Sequence, residues 1–124
     1  ACVFSIPGCS GVGLTEKEAQ EKGFAVKVSK FPFSANGKAI SMGETDGLVK
    51  AVADETTGKL LGMHILGAHS DDLIHEGAIA IKAGLTAQDV ADTIHAHPTL
   101  SEAAMEAFLG VSGSQIHMVS RRPR

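Results

Sequence analysis

Residues 47–67 read GLVKAVADETTGKLLGMHILG: two apolar runs, 47–54 and 59–67, joined by Glu55-Thr56-Thr57-Gly58. A glycine-containing connection this short between two such runs is a hairpin signal, so the sheet they enter is expected to be antiparallel. Upstream, Phe24, Val26 and Val28 alternate with smaller or polar residues, and residues 24–33 (FAVKVSKFPF) read as a half-buried strand. Pro32 confines that strand to a sheet edge, because proline cannot donate to the ladder. Ala1 to Ser5 reads as a short apolar strand, followed by a loop through Pro7, Gly8, Gly11 and Gly13, and Ser34 to Lys38 (SANGK) reads as a turn.

Beyond the hairpin the apolar period changes from two to nearer four. Leu73, Ile74, Ala78 and Ile81 share a face, Asp71 and Asp72 lie in the first turn after Ser70, and Gly84 follows the last turn. That pattern describes a capped amphipathic helix. Thr15 with Glu18 has capping-box spacing and opens a helix that Gly23 ends. Thr86 with Asp89 starts a shorter helix through about Thr93, and Thr99 with Glu102 starts another to about Leu109. Strands come first and helices later, so the expected fold class is α+β, an antiparallel β-sheet flanked by helices. No internal repeat interrupts this order.

The chain has 124 residues and a mass of 12.8 kDa. That is enough for one core burying about two-thirds of the unfolded surface, and too little for two nucleotide-binding domains. Acidic residues outnumber basic ones by 14 to 11, and setting aside Arg121, Arg122 and Arg124 takes the net charge from −3 to −6. So acidic a body has no field for gathering phosphates, which argues against nucleic acid or an anionic membrane as the main partner. Gly110, Ser112, Gly113 and Ser114 precede that cluster, so a domain at 1–110 and a flexible tail at 111–124 are expected. Cys2 and Cys9 match neither a CxxC nor a zinc repeat, and two lone thiols fit a reducing compartment. There is no run of eighteen apolar residues and no basic-then-apolar leader, so neither a membrane span nor an export signal is expected.

The stretch richest in chemistry is His95-Ala96-His97-Pro98-Thr99-Leu100-Ser101-Glu102. Two histidines two apart in an extended segment project to one side, and the proline biases His97 away from helix and admits a cis peptide bond. Glu102, a turn inside the helix, can hydrogen-bond one ring nitrogen of His97, set its tautomer and leave the other nitrogen for a substrate. Equally, Thr99 and Glu102 can form a plain capping box, or His95 and His97 can be metal ligands. Spacing does not separate these readings. His64, His69, Asp71, Asp72, His75 and Glu76 offer every ligand type, but without ligand spacing they read better as a solvated helix start, and no metal site is expected. The glycines at 8, 11 and 13 run GxxGxG, the reverse of a dinucleotide fingerprint, and read as loop. A potential base without nucleophile, cofactor loop or metal points to a binding module, or to one piece of a site completed by other protein.

His95 to Glu102 (HAHPTLSE) closely resembles the C-terminal signature of the dihydrolipoamide dehydrogenases, flavoproteins of the pyridine nucleotide-disulfide reductase family. Val12-Gly13-Leu14-Thr15-Glu16, Lys30-Phe31-Pro32-Phe33 with Ala35-Asn36, Thr57-Gly58-Lys59-Leu60-Leu61-Gly62 and Asp89-Val90-Ala91 extend the likeness, in order, over residues 1–110. The resemblance implies the interface domain that makes the homodimer. It also implies that His97, before a cis proline, reaches into the partner subunit's site as the acid–base catalyst and that Glu102 holds it. FAD and NAD are implied for the intact enzyme and neither for this piece, which is expected to be inactive alone. The implied partner is the lipoyl domain of 2-oxo acid dehydrogenase or glycine-cleavage complexes, in the cytoplasm or, in a eukaryote, the mitochondrial matrix. Gly8, Cys9, Ser10 and Asp92 depart from the family pattern, and the redox CxxxxC and both GxGxxG loops are absent from these residues. The alternative expectation is a stand-alone dimerisation module that kept the fold and lost the chemistry.

Overall fold

The hairpin is present in the computed structural model, which describes residues 1–118. Strand β4 (Leu48–Asp54) pairs antiparallel with β5 (Leu60–Gly67), Leu48 opposite Leu66 and Ala51 opposite Met63. Around it stand β1 (Cys2–Val3), β2 (Gly8–Gly13) and β3 (Val26–Pro32), giving one antiparallel sheet in the order β1-β2-β5-β4-β3. Pro32 closes the edge strand, as its missing N–H requires. The helices are α1 (Glu16–Glu21), α2 (Gly37–Met42), α3 (Ser70–Ala83), α4 (Ala87–Ala91) and α5 (Glu102–Ser112), with a 3₁₀ turn at Phe33–Ala35.

Alternation along the strands sends Phe31, Val49, Ala51, Met63 and Ile65 to one face, where α3 and α5 cover them. Ala103, Ala104 and Ala107 on α5 are wholly buried, and their small side chains let the helix lie close to β3 and β4. Phe108 fills the space beneath it.

Five expectations are corrected by this arrangement. The glycine-containing segment 8–13 is not a loop but an interior strand, and the N-terminal strand shrinks to Cys2–Val3. Strand β2 lacks an apolar run because its neighbours come too close for side chains. A Cβ at Gly11 would lie 2.8 Å from the Nδ1 of His64, and buried Ser10 hydrogen-bonds buried Ser70 across 3.1 Å. The turn at 34–38 is instead the start of α2, where Asn36 accepts the Ala39 N–H at 2.9 Å. Helix α5 runs past Leu109 to Ser112 and ends on Gly113 in the left-handed region. Gly110 serves close packing against Ser29 and Gln115 rather than termination. The packed chain therefore continues past the boundary expected at 110: Val111 is buried, and Gln115 donates to the Lys30 carbonyl at 3.1 Å. The arginine cluster at 121–124 lies outside the described residues. Cys2 sits opposite Ser10 and Cys9 opposite Val3, which puts the two free thiols on opposite faces of the sheet.

The Thr15–Glu18 box is complete, and Thr86 with Asp89 forms the equivalent at α4. The Thr15 backbone N–H and hydroxyl hold the Glu18 carboxyl below the usual range, and the Thr86 hydroxyl and N–H do the same for Asp89. The hydroxyl of Thr57, outweighing burial, lowers Asp54. Groups depressed on folding contribute stability above their unfolded values and lose it as pH falls through the folded ones. The urea midpoint is accordingly expected to hold at neutral pH and to fall steadily below about pH 4. A midpoint rising on acidification would contradict these bonds.

Candidate active site

The segment between α4 and α5 is tied down by its own polar groups. Asn36 donates to the Thr99 carbonyl at 3.1 Å, and the Thr99 hydroxyl donates to the Ala96 carbonyl at 2.7 Å. The His97–Pro98 peptide is cis. Glu102, the first residue of α5, lies beneath His97 and binds in two directions. Its Oε1 accepts from His97 Nδ1 at 2.9 Å, and its Oε2 accepts the Thr99 N–H at 2.8 Å.

One carboxylate thus performs both tasks that the spacing left open. It orients the imidazole and satisfies a free N–H ahead of the helix. Only half of a capping box forms, because the Thr99 hydroxyl is spent on Ala96 and the first helical carbonyl is that of Ser101, reached by the Met105 N–H at 3.1 Å. The side chain of Glu102 is 19% exposed and that of His97 is 77% exposed. Burial works to raise the Glu102 carboxyl, but the Thr99 N–H, the hydrogen bond and charge of His97 and the charge of His117 outweigh it and hold the group below its ordinary value. With Nδ1–H committed to Glu102, the lone pair of Nε2 is the one left for a proton.

His95 does not share this side. Its ring is 7% exposed, with Nδ1 against the Thr93 carbonyl at 2.7 Å and Nε2 against Glu76 Oε2 at 3.2 Å. The irregular backbone at 93–98 breaks the alternation that a regular strand would impose. In the second histidine cluster, His64 donates to the Leu14 carbonyl, His75 faces the Asp72 carbonyl, and His69 occupies a left-handed position before α3. Among the described residues no three His, Cys, Asp or Glu side chains converge as a metal site requires. Nor do Gly8, Gly11 and Gly13 suit a dinucleotide. They lie along β2, paired with β5, and their N–H groups do not open a helix toward a pyrophosphate.

Two residues at the site were not singled out from sequence. Glu106, one turn after Glu102, is fully buried, and its carboxylate accepts from the Ile116 N–H at 3.0 Å and from His117 Nδ1. Both His–Glu pairs border one pocket of about 180 Å³, walled by Phe31, Ile40 and Met105. A glutamate inside the apolar run AAMEAF is the one sequence signal for it.

Compared with known families, residues 1–108 match the dimerisation domain of the pyridine nucleotide-disulphide oxidoreductases. The chain belongs to that family. Among relatives of this dimerisation domain, the dihydrolipoyl dehydrogenase of Geobacillus stearothermophilus is 46% identical over 98% of the chain and 26% of its own length. One from Bacillus subtilis is 50% identical over 94% of the chain and 24% of its own length. The HOCl-induced flavoprotein disulfide reductase RclA of Escherichia coli superposes with a TM-score of 0.83, at 34% identity, over 87% of the chain and 25% of RclA. LpdA of Mycobacterium tuberculosis does so with a TM-score of 0.84, at 25% identity, over 90% of the chain and 24% of LpdA. The dimerisation domain described here therefore spans about a quarter of the length of these relatives. Among the described residues no helix is long and apolar enough to cross a membrane.

Proposed function

We propose that this dimerisation domain belongs to a dihydrolipoamide dehydrogenase and supplies His97 and Glu102 to the active site of the partner subunit. The observation that carries the reading is the divided carboxylate of Glu102, one oxygen on His97 Nδ1 and the other on the Thr99 N–H. It leaves Nε2 free on an exposed ring. A thiol with a free pKa of about 8.5 is mostly protonated at neutral pH, whereas disulfide exchange needs the thiolate. His97 Nε2 takes the S–H proton of dihydrolipoamide, and the thiolate so formed attacks a redox disulfide outside this chain. Glu102 stabilises the resulting imidazolium. FAD and NAD would be held by other parts of the enzyme and would supply the electron transfer that follows. The substrate is the lipoyl domain of a 2-oxo acid dehydrogenase or glycine-cleavage complex, and the compartment is cytoplasmic or, in a eukaryote, the mitochondrial matrix. The gene tests this directly. Upstream codons encoding CxxxxC and GxGxxG in the same frame are expected, and a start codon at residue 1 would remove the proposal.

Exposed apolar surface supports a dimer face beside this site. Ile94 and Ile79 are 96% and 67% exposed, and together with Leu85 they border one groove beside the Glu76–His95 pair. The groove is continuous with the segment that ends at His97, so a second copy seated there has His97 at the subunit boundary. Ile94→Glu in the full-length enzyme is expected to shift sedimentation from dimer toward monomer. An unchanged dimer would place the interface elsewhere.

A further inference from the structure

Glu106 poses an electrostatic problem that its surroundings answer. It follows Glu102 by four residues on α5, so the two carboxylates sit on one face of the helix at a spacing where like charges repel. Glu106 is buried, which strengthens its field, and it sits behind the group that must stay committed to His97. Besides the Ile116 N–H, its partner is the imidazole of His117. Residues 115–117 are held there by four bonds: Gln115 to the Lys30 carbonyl and the Ser29 hydroxyl, and Ile116 and His117 to Glu106. The ionisable side chains bordering the pocket are the two imidazoles and the two carboxylates, while β3, the 3₁₀ turn and α2 contribute Phe31, Ala35, Asn36, Gly37 and Ile40.

We propose that His117, anchored by Glu106, is a positioning residue for the His97–Glu102 pair: its ring screens Glu102 from the Glu106 carboxylate and so keeps Glu102 bound to His97. This rests on the reading of His97–Glu102 as the acid–base pair, and it adds a second imidazole to the pocket. Its charge acts on Glu102 in the direction the role requires, favouring the carboxylate. Were His117 only a strap for the chain end, removing it would loosen residues 114–118 without changing the ionisation of Glu102.

Titration of the Glu102 side-chain carboxyl carbon in ¹³C-labelled protein separates the two roles without turnover, with the Thr99 amide as a second reporter. His117→Asn is expected to raise the Glu102 midpoint by about half a pH unit, because Glu106 is left unscreened. His117→Asn with Glu106→Gln removes both ionisable groups and is expected to return the midpoint close to the wild-type value. A Glu102 midpoint unchanged or lowered in the single variant would overturn the proposal, as would a double variant no nearer wild type than the single. His117 is itself largely exposed, and the Asn amide keeps an N–H for the buried Glu106 carboxylate, so the single variant is expected to fold. Because the readout is equilibrium protonation, it stands even if His97 proves dispensable for turnover.

Discussion

His97→Gln in the full-length enzyme is expected to slow reduction of the flavin by dihydrolipoamide by about 10²–10⁴-fold, the usual contribution of a positioned general base. The dimer and the fold are expected to survive. The imidazole is largely exposed, and its hydrogen bond goes to a carboxylate that keeps the Thr99 N–H when the ring is gone. Gln preserves bulk and a polar end but cannot carry a proton at neutral pH. Under the proposed role, what it removes is the transfer from the substrate thiol, a step that precedes any electron reaching the flavin. Single-turnover mixing of oxidised enzyme with dihydrolipoamide isolates that step, and sedimentation of the same sample checks assembly. Equal rates for variant and wild type would refute the role of His97, whatever the state of the dimer.

Legibility of this chain from its sequence follows how local each determinant is. The hairpin at 47–67 and the caps at Thr15 and Thr86 are decided within about twenty residues, and they stand as read. Strand β2 escaped because its identity depends on what lies across from it. Gly11 is small to admit His64, and Ser10 is polar to meet Ser70, so the strand carries no apolar alternation of its own. Pattern picked out His97 through Pro98 and Glu102, but it set His95 on the same side, because the irregular backbone that buries His95 against Glu76 and the Thr93 carbonyl is not visible in spacing. Glu102 was readable as an orienter or as a cap; that it is both depends on the Thr99 hydroxyl turning back to Ala96. The Glu106–His117 pair is the least local feature of the site. It joins a helix to a segment beyond its end whose Ser/Gly composition reads as tail.

Gly62→Ala is expected to cost about 3 kcal/mol, a large share of the 5–15 kcal/mol that a domain of this size has to lose. Gly62 lies in β5 opposite Gly13 on one side and Val52 on the other. A Cβ there would sit 1.9 Å from the Leu14 carbonyl oxygen, far inside contact distance. The obstacle is backbone, and it is pinned at both ends of its residue. The Leu14 N–H donates to the Leu61 carbonyl at 2.8 Å, while its carbonyl accepts from His64 Nε2 at 3.1 Å. Moving Leu14 aside therefore strains the β2–β5 pairing and the entry to α1, not a single rotamer. Gly37→Ala is the matched control. No heavy atom lies within 4 Å of the Cβ it would add at the first turn of α2, so a gain of about 0.4–1 kcal/mol from the stiffer unfolded chain is expected. Urea unfolding of the two variants should move the midpoint in opposite directions. If Gly62→Ala left the midpoint unchanged, the close approach of Leu14 to β5 could not be what holds β2 inside the sheet, and the strand would owe its place to the buried Ser10–Ser70 bond and to Val12 instead.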